Sequence, residues 1–265
     1  MERWNTSLLF GFLEKLEDDE WHWDKPLLFG LLTPPKNSQF HNSALLITPQ
    51  LARYVAKKKS EEIPLKIYRK QHLMPFSEKV PFADIFPALQ KLAFSMEGSQ
   101  QLNAHKGKDQ GYIYSFLDTK GNIRRTGIRI CYEVMYPSTT AKMLQNGAQM
   151  LVILSNDASF GRTPESSRMK AYTSLLAITT RRSIARDAST GLTFFTDPLG
   201  RIYGQVPWWE TKISLNALKL NSELSFYSRY PDLFPKLCLV FIILTYGWWK
   251  FKKIYSNHFL ALKNS

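Results

Sequence analysis

Two strand-length apolar runs, TGIRICYE (126–133) and MLVILSN, flank TTAKMLQNG, a segment of helical length that ends in Gly147. That order constrains the chain more than any other feature. Aliphatic and β-branched runs favour extended backbone, and a helix-length separator closed by a capping glycine favours helix. The alternation of the two calls for a sheet covered by helices. It also extends outward. PLLFGLLTP (26–34) and HNSALLITP (41–49) read as strands bounded by Pro, Asn and charge, and GYIYSFLDTKGNI (111–123) as a strand ending at a turn around Lys120-Gly121. Pro164 to Arg182 reads as a helix with Met169, Tyr172, Leu175 and Leu176 on one face. GLTFFTDPLGRIYGQV (191–206) reads as a hairpin turning at Asp197-Pro198-Leu199-Gly200. The expectation is an α/β domain with a largely buried sheet, without internal repeats or low-complexity segments.

The chain can sustain such a core: 265 residues that are 44% hydrophobic and 22% charged exclude wholesale disorder. Its only cysteines, Cys131 and Cys238, lie too far apart in sequence for a disulfide-rich scaffold or a Cys-based zinc site. The five histidines show no HExxH-type spacing, so neither a metal nor a cofactor is expected. The formal charge of +13 is compatible with nucleic acid, an anionic membrane surface or solubility alone. Seven basic residues fall between Arg53 and Lys70, and Lys250, Lys252, Lys253 and Lys263 follow Trp249 with no acid among them. No helix-turn-helix, zinc-finger or RNP-type pattern accompanies them, and nucleic acid is not expected as a partner.

The ends differ. In MERWNTSLLFGFLEKLEDDE the apolar stretch Leu8 to Leu13 is short and Glu17, Asp18, Asp19 and Glu20 follow, which does not read as a signal peptide. Near the other end, LCLVFIILTYGWW (237–249) is 13 residues without a charge. Extended to Pro231–Lys250 it reaches the roughly 20 residues of a spanning helix, with Trp248 and Trp249 suited to an interface. A buried core helix is the alternative, but polar flanks favour a membrane segment. The lysines beyond it would place the tail in the cytoplasm.

Two segments carry candidate chemistry. Cys131 ends the alternating strand IRIC at a strand-to-helix turn, where a side chain projects from the sheet edge and backbone N–H groups can serve as oxyanion donors. Free thiols have a pKa of roughly 8.5 and need a nearby base or cation to act as nucleophiles. Without one, Cys131 would be an inert core cysteine. In YRKQHLMPFSEKVPF (68–82), Lys70 precedes a segment stiffened by Pro75 and Pro81, with Glu78 between them. A lysine held there could face a developing oxyanion; a solvated basic loop is the other reading.

Together, YRKQHLMPFSEKVP, ICYEVMYP, GAQMLVILSNDASFG and the Thr190-Gly191 to Gly200 stretch resemble the nitrilase, or carbon–nitrogen hydrolase, superfamily. The Lys-x-His-Leu-x-Pro-Phe-x-Glu form and Cys-Tyr-Glu after the strand are most similar to its apolipoprotein N-acyltransferase branch, and the resemblance covers roughly residues 8 to 250. FYSRYPD before the apolar run looks like that branch's passage into its last membrane helix. The resemblance implies a nitrilase-like four-layer αββα sandwich over residues 1–225, and a membrane-anchor helix with basic tail over 226–265. It implies a Glu-Lys-Cys triad: Cys131 as nucleophile, Lys70 as oxyanion stabiliser, Glu78 in support, and Tyr132 and Glu133 as substrate-binding residues beside the nucleophile. The implied reaction moves a phospholipid acyl chain through a thioester to the α-amino group of a lipoprotein's diacylglyceryl-cysteine. A phospholipid donor, a lipoprotein acceptor and the membrane are then the partners. A lipid donor also suits exposed aromatics such as Trp208-Trp209.

The chain departs from that pattern in places. The triad's general base falls on Glu2, outside the family's Pro-Glu setting. Ser159 stands for a tryptophan, Met169 and Thr179 for a histidine and a glutamate, and Ser189 for an asparagine. The branch's preceding membrane helices have no counterpart. These departures lead to the expectation of a C-terminal part of a larger unit, completed by an upstream membrane segment or partner chain. The catalytic domain would then lie on the extracytoplasmic face of the inner membrane. A degenerate, inactive membrane protein of the same fold, a tail-anchored protein facing the cytoplasm, and an amidase of the same superfamily are the alternatives.

Overall fold

The computed structural model describes residues 25–33, 41–58, 66–83, 85–92, 106–107, 111–161 and 163–263. Within them two sheets face each other. The smaller holds β1 (Leu27–Thr33), β2 (His41–Ile47) and β3 (Ile67–Arg69), in that order and antiparallel. Helix α1 (Pro49–Lys58) follows β2 where the sequence shows only a basic run. Pro49 opens it and the Thr48 hydroxyl accepts the Leu51 N–H, so the signal was a capped start rather than an apolar stripe.

The larger sheet runs β4 (Ile113–Leu117), β5 (Ile123–Ile130), β6 (Met150–Ser155), β7 (Ile184–Ala188), β8 (Thr193–Thr196), β9 (Ile202–Val206) in both sequence and space. Its centre, β5–β6–β7, is parallel and its flanks are antiparallel hairpins. Helices α2 (Pro137–Gln145) and α3 (Glu165–Thr180) make the two crossovers. Gly147, at φ 97°, stops α2 as the sequence indicated. On α3 the buried positions are Met169, Thr173, Leu176, Ala177 and Thr180, whereas Leu175 is 55% exposed. The inward face is therefore turned away from Leu175, because residues three and four apart share a face and neighbours do not. The expected α/β class holds, as a sandwich of two sheets with helices outside.

Ala44, Leu46 and Tyr68 of the small sheet meet Ile128, Ile130 and Leu154 of the large one in a single core. Each fully buried side chain such as Ile128 or Ile153 contributes about 1.5–3 kcal/mol. Tyr114 pins the sheets together: its hydroxyl donates to the Ala44 carbonyl at 2.6 Å and accepts the Tyr68 N–H at 3.0 Å. Beyond β9, the buried Arg182 guanidinium donates to the Ala148 and Glu223 carbonyls, strapping the following chain across the sheet. Helix α4 (Phe226–Arg229) then docks on α2 and α3, with Ser225 capping it and Gln145 Nε2 bonded to the Ser228 carbonyl. Domain packing thus runs through Arg229, past the boundary at 225.

Helix α5 (Leu233–Lys263) is 31 residues long. Its Leu233–Lys253 stretch is long and apolar enough to cross a membrane and none of it is buried. At 1.5 Å per residue that stretch is about 30 Å, the thickness of a bilayer core.

Candidate active site

The site begins with backbone geometry. Cys131 follows the last residue of β5 and opens the short 3-10 turn Cys131–Met135 with φ 50°. A non-glycine residue there is strained, and the strain persists only where surrounding structure holds it. The consequence is a half-buried thiol lifted off the sheet into a cavity of about 760 Å³.

Lys70 reaches the same cavity from the small sheet. Its N–H bonds to the Asn42 carbonyl at 2.8 Å, extending the β2–β3 ladder by one residue. The side chain is 2% exposed and donates to both Glu78 oxygens, at 2.9 and 2.7 Å. Glu78 is itself fixed by the Met74 N–H at 2.7 Å and by Asn42 Nδ2 at 3.1 Å. Burial alone would push the Lys70 ammonium down. The charge of the Cys131 sulfur, then Glu78 and Glu133, outweigh burial and hold its pKa above the ordinary lysine value. Lys70 is thus a permanent cation beside the thiol, not a solvated loop residue. Cys131, Lys70, Glu78 and Asn42 line one cavity, together with Leu31, Met74 and others.

Glu133 does not join them. It is fully enclosed and its oxygens accept the Gln71 N–H (2.6 Å), the His72 N–H (3.1 Å), the Ile130 N–H (2.8 Å) and the Tyr68 hydroxyl (2.8 Å). A carboxylate so enclosed and so fully bonded presents no free oxygen to the cavity. Instead it ties the Lys70 segment to the nucleophile turn. Arg129, also fully buried, lies 3.9 Å from it and donates to Tyr68 Oη and Thr140 Oγ1. Burial first, and then the Glu133 charge, push the Tyr68 phenol well above its ordinary pKa, so it remains a donor. Tyr132 packs edge-on to Tyr136 and does not line the cavity. Glu2 lies outside the described residues.

The cavity's other wall comes from β6 and β7. Asp157 and Arg186, both buried, pair at 2.9 Å, and Ser155 bonds to Asp157. Gly191 is required there: a Cβ on it would sit 1.9 Å from the Asp157 carboxylate. This pair fixes the loop that presents Asn156, Ala158 and Phe160 to the cavity, and Asp187 and Ser189 complete the wall. Asn42, Tyr68, Arg129 and Asp187 were not singled out from sequence. Only Asn42 carried a signal, in the polar start His41-Asn42-Ser43 of a strand that is apolar from Ala44 on.

A strained cysteine and a buried lysine–carboxylate pair on one cavity suit acyl chemistry through a thioester: the thiol supplies the bond, the ammonium a charge for the oxyanion. Residues 3–225 match the carbon–nitrogen hydrolase family model, and the chain belongs to that family. It is 35% identical over 244 residues to an apolipoprotein N-acyltransferase of Chlorobaculum tepidum, covering 89% of this chain and 41% of that protein. It is 32% identical over 171 residues to one of Geobacter metallireducens, covering 64% of this chain and 30% of that one. The chain therefore spans less than half the length of these relatives. A solved glutamine-dependent NAD+ synthetase from Acinetobacter baumannii superposes with a TM-score of 0.51 at 15% identity, over 78% of this chain and 32% of that one. That likeness shows the fold.

Proposed function

We propose that this domain catalyses N-acyl transfer, taking an acyl chain from a phospholipid onto Cys131 and passing it to the α-amino group of a lipoprotein's diacylglyceryl-cysteine. The observation that carries the reading is the meeting of Cys131, on its left-handed turn, with the Lys70–Glu78 pair in one cavity. The names of the relatives supply the substrate class. In the first half-reaction the thiolate attacks the ester carbonyl, the C–O bond breaks, and Lys70 faces the transient oxyanion. The side chains of Leu31, Leu32, Met74 and Phe160 give the acyl chain an apolar lining. Glu2 is the proposed general base, and an upstream membrane segment or partner chain completes the enzyme.

The proposed setting is the inner membrane, with α5 spanning it and the domain on the extracytoplasmic face. Lys250 and Lys253 pack over Trp249 at 6.0 and 5.5 Å, an aromatic and basic belt of the kind that marks a cytoplasmic interface. Incubation with phospholipid followed by intact-protein and peptide mass spectrometry tests the reading. The expected product is a thioester adduct of one acyl chain on Cys131, absent in Cys131→Ala. No adduct, even with the upstream segment supplied, overturns it.

A further inference from the structure

The cavity carries a charge that the first half-reaction does not use. Among the described residues its lining contains three ionisable side chains besides the thiol: Lys70, Glu78 and Asp187. The first two neutralise each other at 2.7 Å. Asp187 is solvent-exposed, and among the described residues its side chain has neither an ion-pair nor a hydrogen-bond partner. In a chain of charge +13, the described residues thus give the nucleophile's cavity a net negative lining. A negative cleft in a basic protein concentrates cations.

Position gives that charge a use. Ile130, Leu154 and Asp187 are paired across β5, β6 and β7, so they form one row and project from the same face of the sheet. All three line the cavity, and Cys131 immediately follows the first. Two strand spacings, about 10 Å, separate the Asp187 backbone from the nucleophile end of that row. Asn156 and Ser189 flank Asp187 with further hydrogen-bonding groups, whereas β1 contributes Leu31 and Leu32.

We propose that Asp187 is the acceptor-site residue: its carboxylate binds the primary ammonium of the amine that takes the acyl chain from Cys131. This rests on the acyl-transfer reading and adds how the second substrate is recognised. The docked R–NH3+ gives one proton to solvent. The freed lone pair attacks the thioester carbonyl, the N–C bond forms and the C–S bond breaks. The second N–H proton, lost as the amide forms, goes to the departing sulfur. Net, one ammonium and one thioester yield one amide, one thiol and one proton.

Equilibrium binding without acyl donor tests this. The full chain in detergent is titrated with a diacylglyceryl-cysteinyl peptide bearing a free α-amino group and with its N-acetylated twin. The free amine is expected to bind about tenfold tighter or more, the scale of a charge-assisted pair. Asp187→Asn should bring the ratio close to one, and Asp187→Glu should keep much of it. Equal binding of the two peptides, no binding of either, or a ratio unchanged in Asp187→Asn overturns the inference. No acylation is needed for the readout. A chain that shows the ratio but never forms a Cys131 adduct loses the acyltransferase reading and keeps the cation site. One that forms the adduct without the ratio loses only the role of Asp187.

Discussion

Two buried cation–carboxylate pairs sit either side of the nucleophile turn, and they are built to opposite ends. Lys70 and Glu78 meet at 2.7 Å, with Glu78 16% exposed and the pair open to the cavity. Arg129 and Glu133 stand 3.9 Å apart with no exposed surface at all. In the first pair the carboxylate bonds directly to the cation, keeping it charged where a substrate arrives. In the second it bonds chiefly to backbone N–H groups of Gln71, His72 and Ile130. Those amides belong to the two segments that carry Lys70 and Cys131. The sealed pair holds the frame in register, and the open pair faces the chemistry.

Breaking the sealed pair should have the largest effect. Glu133→Ala leaves Arg129 without a carboxylate and three buried amides without an acceptor. Losing one partner of a buried pair typically costs about 3–5 kcal/mol. Denaturant unfolding of the variant should show that loss, with Glu133→Gln intermediate because it keeps an acceptor oxygen. A stability within 1 kcal/mol of wild type, roughly the scale of an exposed pair, would remove Glu133 from its structural role.

Breaking the open pair should separate chemistry from stability. Lys70→Met keeps the stem length and removes the charge. Removing one oxyanion donor lowers rates by about 10²–10³-fold, and acylation of Cys131 should fall by that order in single-turnover measurement. Unfolding stability should change much less than in Glu133→Ala, because the Glu78 carboxylate retains the Met74 and Asn42 donors and some water. The pH dependence sharpens this. The folded pKa of Lys70 lies above its unfolded value, so its stabilisation is fully present below the unfolded pKa, about 10.4, and is lost as pH rises through the folded one. The stability gap between wild type and Lys70→Met should hold through neutral pH and narrow only in strong alkali. A gap that closes near pH 8 contradicts the pairing.

The two pairs were not equally legible in the sequence. Lys70, Glu78 and Cys131 fall in short segments punctuated by proline and turn residues, where a charged or nucleophilic side chain stands out. The strands β4, β5, β6, β8 and β9 were legible because their apolar runs and turns are local, whereas β7, IARDA, has no apolar run to mark it. The enclosure of Glu133 was not legible, since adjacency to a nucleophile in sequence says nothing about which way a 3-10 turn points. Arg129, Arg182 and Arg186 are buried against the ordinary behaviour of arginine, through partners 11 to 61 residues away that no local pattern reveals. Asp187 stood in no segment read as a strand; only the pairing of β5, β6 and β7 puts it on the cavity.

The smallest expected effect lies at the seam between the pairs. His72 donates its N–H to Glu133 and stacks on Tyr136 with ring centroids 3.8 Å apart and planes 8° from parallel. Burial first lowers its pKa; Glu133 pulls the other way, and Arg129 and Lys106 reinforce the lowering. The native state therefore favours the neutral ring. Because the folded pKa lies below the unfolded one, the stabilisation is present above roughly pH 6.5 and is lost as pH falls through the folded value. Wild type should lose stability on going from pH 7 to pH 5. His72→Phe keeps the backbone N–H and the stacking area, so it should lose less over the same interval. Equal losses would detach the acid sensitivity from His72 and place it on the carboxylates, Glu78 among them.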